Sequence, residues 1–479
     1  MLSTVGFGYD ASLINGLQAN ARWSDDLGLN SQTLLGLTVA ANSFSAIIAV
    51  LPAAWLADNL GRRRTIILGS TIQIATFIAQ AFINTGLKLL GTRLVLGMVT
   101  TFTNVSSNVL TSELTHPRQR ASVTALWFTF FYIGAITVAW TTYGAISIES
   151  SWSWRLPTLL QVIWSAVQLP IVFFCPESPR WLMLKGRNAE AKQILATYHA
   201  NGDLNDELVN LEYQEILTSI STDDNREGNT WLAMVKSGAN IKRTVLILFL
   251  GLSSQWVGNG IISYYFSPIL KSIGITKDTQ QQGINGGLQI FSWLMSIIGA
   301  LLAERSGRRT LLLASAVGML FCIVGVTICS ALYTRTGSAD IGKGVIVFLF
   351  MFFGSYCIGF TPIPPLYVAE ISPSSIRANY VSFYWMAASA TLCFNQFVNP
   401  IALEAIAWKY YLVYVAVLAV VICVIFLFVP ETKGFTLEEV SALFDADLDT
   451  TAQLTEKEQG QEMVKEQHYV GYVETVERV

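Results

Sequence analysis

The stretch VGFGYDASLING, Val5 to Gly16, places one carboxylate, Asp10, among glycines in an otherwise apolar run. A charge at the centre of a membrane helix costs on the order of 2.5 to 3.5 kcal/mol by insertion scales, so such an acid reads as functional and needs a partner. Arg93, in GTRLVLG (Gly91 to Gly97), is the evident one. Two chemistries are open to the pair: a proton-accepting carboxylate released from its arginine, or a static ion pair that holds two helices together. Three more apolar runs carry neutral polar groups: Gln255, Asn259, Tyr264 and Tyr265 in one, Asn395, Gln396 and Asn399 in another, and Ser292 in a third. Unpartnered polar groups are costly in apolar surroundings. Gln255, Asn259, Asn395, Asn399 and Ser292 are therefore read as hydrogen-bonding a ligand, or else a neighbouring helix. Trp256 is the ring singled out for ligand contact. No nucleophile, base and oxyanion donor occur together at recognisable spacing, so there are no catalytic residues and the chain does not read as an enzyme.

These residues lie in a chain whose composition defines its solvent. Of 479 residues, 52% are hydrophobic and 13% charged, with a mean hydropathy of +0.47; soluble proteins average roughly 25% charged. Twelve stretches approach the roughly 20 apolar residues that cross a hydrocarbon core: 1–18, 33–57, 65–85, 88–112, 121–146, 156–175, 243–267, 285–303, 310–333, 343–368, 379–402 and 409–430. All must be helices, because lipid offers no partner to free backbone groups. The first is short before Asp10, so it is read as truncated or as preceded by further chain. The net charge of −3 says little about partners in a chain whose bulk lies in lipid, and no basic surface for nucleic acid is visible. All six cysteines fall in or beside apolar helices and read as buried thiols. The three histidines lie in polar segments, and no metal site or cofactor is expected. There is no signal-peptide layout.

The chain is duplicated. LADNLGRRR (Leu56 to Arg64) returns as LAERSGRRT (Leu302 to Thr310), SELTHPRQRA (Ser112 to Ala121) as AEISPSSIRA (Ala369 to Ala378), and PESPRW (Pro176 to Trp181) as PETKGF (Pro430 to Phe435), in order and at nearly one displacement. The expected fold is an all-α membrane protein of two six-helix bundles, 1–175 and 243–430, joined by a loop with short helices at 176–242 and followed by a tail at 431–479. Duplicated halves of this kind characterise secondary transporters, with the site at their interface. Arginines cluster after spans two, four and eight, which places those loops and both termini in the cytoplasm by the positive-inside rule.

These signatures, with SQWVGNGIISYY (Ser254 to Tyr265) and PETKGFTLEE, resemble the sugar porter branch of the major facilitator superfamily over nearly the whole chain. WTTYGA (Trp140 to Ala145), RLPTLLQ (Arg155 to Gln161), FNQFVNPIAL (Phe394 to Leu403) and YHANGD (Tyr198 to Asp203) carry a closer likeness to fungal lactose permeases. The resemblance implies that Asp10 carries a proton and Arg93 modulates it. The chain departs from the family at Phe128, where a glutamine is usual in the fifth helix, at Ser254, Gly260 and Pro365, and before Glu113. Phe128 is counted as lining the substrate site in place of the lost amide.

The loop charges Asp58, Arg62, Arg63, Glu113, Arg120, Glu177 and Arg180, mirrored by Glu304, Arg308, Glu370, Arg377 and Glu431, suit bidentate carboxylate–guanidinium pairing. They are read as a conformational latch closing the inner side, or as solvated charges contributing about 0 to 1 kcal/mol per pair. Tyr264 and Tyr265 are read as an outer gate or as interfacial-belt residues. Gly258, Gly260 and the Pro362, Pro364 and Pro365 cluster break helical regularity. Asn188 to His199 reads as an amphipathic helix with Ala189, Ala191, Ile194, Leu195 and Tyr198 inward, and the tail as disordered beyond about Asp447. The expectation is a monomeric plasma-membrane transporter of a disaccharide or hexose, coupled to protons, with the lipid bilayer as its surroundings. The alternatives are transport of another small molecule such as a fungal secondary metabolite, or a non-transporting sugar sensor.

Overall fold

The structure, a computed structural model, describes residues 1–29, 31–224, 231–373, 376–433 and Phe444. Within these, some side chains fall outside the description, among them those of Arg120, Phe128 and Glu304. The expected disorder beyond Asp447 also lies outside the described residues.

All twelve expected spans are helical. The first half contains α1 (Leu2–Leu17), a short α2 (Ala21–Leu27), α3 (Gln32–Leu60), α4 (Arg62–Ala81), α5 (Gly86–Leu114), α6 (Pro117–Ala145), and a sixth span split into α7 (Trp152–Leu160) and α8 (Val162–Phe174). Between the halves lie α9 (Pro179–Leu184), α10 (Asn188–His199) and α11 (Glu207–Asp224). The second half contains α12 (Gly238–Trp256) and α13 (Asn259–Ser272), which share one span, then α14 (Asp278–Ser306) and α15 (Arg308–Thr336). A divided tenth span follows as α16 (Ala339–Gly359) and α17 (Ile363–Ile371), and the half ends with α18 (Arg377–Ile406) and α19 (Tyr411–Phe428). Pairings repeat between halves: α1 on α6, α3 on α5, α4 on α5 and α8 in the first, and α12 on α18, α14 on α16, α15 on α16 and α19 in the second. The halves meet through α3 with α18, α6 with α14, and α1 with α13.

Seven stretches of the described residues are long and apolar enough to span by length and hydropathy alone, and one of them, Asn379–Phe428, holds two spans. Among the spans, α1, α4 and α5 of the first half fall short of that measure. The first of them has only 16 residues, α4 opens on three arginines, and α5 is rich in Thr, Ser and Asn.

The glycines of the opening stretch set the distance between α1 and α6. A Cβ on Gly8 would overlap the Phe131 backbone, and one on Gly134 would overlap the backbones of Val5 and Tyr9. The seventh span breaks at Gly258, whose φ of +106° suits glycine and whose Cβ position lies 3.2 Å from the Tyr414 ring. The loop helix α10 has the expected bounds. Its buried face differs from the expected one, with Ala191, Leu195 and Ala196 inside and Ala189 and Tyr198 exposed, because it packs against α9 and α11, which take one narrow stripe.

Candidate functional site

Asp10, midway along α1, faces Arg93 in the first third of α5. Arg93 Nη1 lies 2.7 Å from Asp10 Oδ1, and both side chains are almost completely buried. The second carboxylate oxygen accepts from Asn42 Nδ2 of α3 at 2.9 Å, while Arg93 Nε has no partner. Tyr264 of α13 lies within electrostatic reach of both charges. The ion pair is as the spacing suggested; Asn42 was missed, and its only signal is an amide in an apolar span.

The amides meet around the break in the seventh span. Asn395 Nδ2 donates to the Gln255 carbonyl at 2.7 Å and Asn259 Nδ2 to Gln255 Oε1 at 3.4 Å. Asn259 Oδ1 is buried without a partner, so it remains available to a hydroxyl donor. Trp256 is 37% exposed, with its ring 6.1 Å from that of Phe394. Asn399 is engaged otherwise: its Oδ1 accepts from Tyr410 and Tyr414 at 2.8 and 2.9 Å, which ties α18 to the start of α19. Ser292 is buried and donates to Leu288 in its own helix. Across the interface, Tyr132 of α6 bonds Cys357 Sγ at 3.2 Å and Thr361 at 3.4 Å, contacts that sequence reading did not single out.

At the end of the molecule away from the arginine clusters, side chains and carbonyls join the halves. Gln18 Nε2 donates to the Tyr264 carbonyl at 2.7 Å, Asn15 to Asn285 at 3.3 Å, Thr142 to Gln282 at 3.0 Å and Ser43 to Gln396 at 2.6 Å; Gln282 also donates to the Gly16 carbonyl. Two prolines supply acceptors nearby. Proline has no N–H for the carbonyl four residues earlier: Pro268 frees that of Tyr264 for Gln18, and Pro400 frees that of Gln396 for the Tyr265 hydroxyl. Tyr264 packs against the apolar cluster of the first half and so stands in this seam, and Tyr265, fully buried, ties α13 to α18 beside it. Replacing Pro268 with Ala returns the Tyr264 carbonyl to its helix. The variant is expected to expose a cysteine introduced at Asn15 to thiol reagents about fivefold faster, a shift of roughly 1 kcal/mol for one lost hydrogen bond; an unchanged rate contradicts this role of the carbonyl.

The arginine-rich end repeats one device twice. Glu177 Oε1 accepts from the Arg63 backbone N–H at 3.1 Å, and Glu431 accepts from those of Arg308 and Arg309 at 2.7 and 3.0 Å. Each carboxylate therefore caps a helix N-terminus, where exposed N–H groups favour an anion. The preceding glycines, Gly61 and Gly307, have φ of +97° and +84°, and a Cβ on either would strike that carboxylate. Arg62 pairs with Asp58 at 3.1 Å and Glu113 at 3.4 Å, and Arg308 with Glu370 at 2.7 Å, each within its own half. Burial pushes the Glu113 carboxyl above the usual range, against the pull of Arg62. Arg377 Nε donates to the Ser372 carbonyl at 3.4 Å. Glu177 thus caps α4, and Glu113 takes Arg62. Arg180 has interactions of its own and contributes to the field at Glu113. The side chains of Arg120 and Glu304 lie outside the described residues. Glu431→Ala is expected to lower stability by about 2 kcal/mol, the upper range for a lost cap, measured by thermal unfolding in detergent; an unaltered midpoint excludes the capping role.

Twelve helical spans in two repeated halves with polar groups at their junction define a major facilitator-type membrane transporter. The family model for sugar (and other) transporters matches residues 1–444, and the chain belongs to that family, the sugar porters, whose members are transporters and not enzymes. It is 26% identical to the MFS glucose transporter mfs1 of Aspergillus flavus, over 96% of this chain and 91% of the relative. It is 27% identical to the sugar transporter STL1 of Saccharomyces cerevisiae, over 91% and 79%, and 26% identical to the MFS-type transporter oryC of Aspergillus oryzae, over 91% and 82%. Its fold is similar to the inward-open xylose transporter XylE of E. coli, with a TM-score of 0.77 and 20% identity over 92% of this chain and 97% of that one. The proton:xylose symporter XylE bound to 6-bromo-6-deoxy-D-glucose gives 0.74 and 21%, over the same shares.

Proposed function

We propose that this chain moves a sugar, a disaccharide or hexose, together with a proton by alternating access, with the arginine-rich end and both termini in the cytoplasm and the plasma membrane as its site. The observation that carries the reading is the buried Asp10–Arg93 pair. A relative named as a glucose transporter and a structural neighbour named as a proton:xylose symporter support the same reading. Protonation neutralises Asp10 and frees both Arg93 and Asn42. Asn42 adjoins Ser43, which holds Gln396 of the other half, and Tyr264 links the charges to the seam. A change of charge at Asp10 is thereby communicated to contacts that keep the far end shut. The sugar hydroxyls bond Gln255, Asn259 and Asn395 beside Trp256. The seam at one end and the pairing of Arg62 and Arg308 within their own halves at the other support an inward-facing state. In the outward-facing state the arginine-rich charges act as the latch.

Pro365 and Phe128, at positions where the family usually has an aromatic ring and an amide, favour a less polar ligand as the second reading. Uptake of a labelled sugar panel by a transport-deficient host, with and without a protonophore, decides between them. Sugar uptake abolished by the protonophore supports the proposal, protonophore-insensitive uptake removes the coupling, and transport of no sugar favours the second reading.

A further inference from the structure

We infer that the first-half bundle holds internal water against Asp10, and that the proton leaves Asp10 toward the arginine-rich end through this bundle, apart from the route taken by the sugar. The inference rests on the proposed proton coupling, but its water site stands on geometry alone.

An enclosed cavity of about 10 Å³ lies inside the bundle, lined by Asp10 together with Ser3, Gln73, Thr100, Ser165 and Gln168. That is close to the size needed for one water, and the lining supplies the several polar partners a buried water requires. These side chains form spokes between four helices. Gln168 Nε2 donates to Ser3 Oγ at 2.6 Å, Ser165 Oγ to Gln73 Oε1 at 3.1 Å, and Gln73 Nε2 to Thr100 Oγ1 at 3.2 Å. Between Asp10 and the arginine-rich end, Thr4 Oγ1, Ser70 Oγ and Ser106 Oγ are buried without a protein partner. Buried hydroxyls in native proteins bond protein or ordered water. Gln80 and Gln161 leave orphaned oxygens on the other side of Asp10.

The apolar packing of this half gives the route its direction. Its buried cluster, including Leu13, Leu17, Trp23, Ile83, Leu89 and Trp154, sits at the end away from the arginine clusters. Past Asp10 toward the arginine-rich end, the interior turns to Ser, Thr and Gln. The second half differs, with one apolar core running from Ile273 at one end to Val429 at the other. The three helices of low hydropathy or short length, α1, α4 and α5, all line the polar column. The unpartnered hydroxyls thus continue from Asp10 toward the arginine-rich end, and the apolar cluster fills much of the other side.

The step is a proton transfer. Protonated Asp10 gives its proton to the adjoining water, which passes one on through the Ser and Thr hydroxyls and further water, while the carboxylate left behind re-forms its pair with Arg93. The titratable groups facing Asp10 are Arg93 of α5 and Tyr264 of α13. Helices α3, α4 and α8 present neutral Asn42, Gln73 and Ser165, and α6 and α7 meet the adjoining Gly8 and Tyr9 through Phe131, Thr141 and Pro157.

Two measurements on the full chain test this. Hydroxyl-radical footprinting reads water beside buried rings: Phe77, which lines the cavity yet is only 4% exposed, is expected to oxidise about tenfold faster than buried Phe266, and Gln73→Leu to remove the difference. Equal protection of Phe77 and Phe266 overturns the water site whether or not the chain transports sugar. In proteoliposomes, Gln73→Leu and the milder Thr100→Val are expected to lower accumulation driven by a pH gradient about tenfold while sugar counterflow stays within about twofold. Wild-type accumulation in a monodisperse Gln73→Leu variant overturns the route. Labelled Phe77 with no sugar movement by the wild-type chain defeats the proposed function and the proton route and leaves the water site standing.

Discussion

Asp10→Asn is expected to abolish accumulation of sugar against its gradient while sparing counterflow. The amide is nearly isosteric and keeps a contact with Asn42, so the helices stay in place, but it cannot exchange a proton in the physiological range. The same change leaves Arg93 buried with its countercharge gone. Breaking a buried pair from one side costs about 3 to 5 kcal/mol, whereas replacing both partners is often near neutral. Thermal unfolding in detergent is expected to show a loss for Asp10→Asn that Arg93→Leu largely restores in the double variant, with accumulation still absent. Accumulation by Asp10→Asn at the wild-type level would remove the carboxylate from the coupling; equal stability of all three chains would mean that the charge is solvated.

The second large effect is expected at Gly134. A valine there drives its Cβ into the Val5 and Tyr9 backbones, and no side-chain rotation relieves an overlap with main chain. Overpacking typically costs about 1 to 3 kcal/mol and more where backbone must move, so α1 is expected to detach, with loss of the monodisperse species on gel filtration. Gly144→Ala in the same helix meets no atom within 4 Å and is the control, expected to leave yield and melting unchanged. A stable Gly134→Val variant would show that α1 and α6 can part without cost.

What could be read from the sequence depended on how many partners each residue could have had. Asp10 carries a charge, an apolar span offers few ways to neutralise it, and Arg93 was the evident choice. The arginine turns were legible because they occur twice with the same glycine and the same distant carboxylate. Neutral amides were not legible in this way. Asn399 could have served a ligand as readily as the tyrosines that hold it, and Gln18 could have bonded any neighbouring helix. Their partners are chosen by the distance and rotation of packed helices, which short sequence patterns do not encode. The capping role of Glu177 was obscured for a related reason: its partner is a backbone N–H, which every residue but proline carries.

The carbonyls freed by Pro268 and Pro400 bear on how this protein can change over generations. A main-chain oxygen survives every substitution of its own residue, so drift at position 264 or 396 does not delete the acceptor that Gln18 or Tyr265 uses. Heritable change in that part of the seam is channelled into two prolines and two donors. Relatives that open more or less readily should therefore differ at positions 18, 265, 268 and 400 before they differ at the acceptor positions.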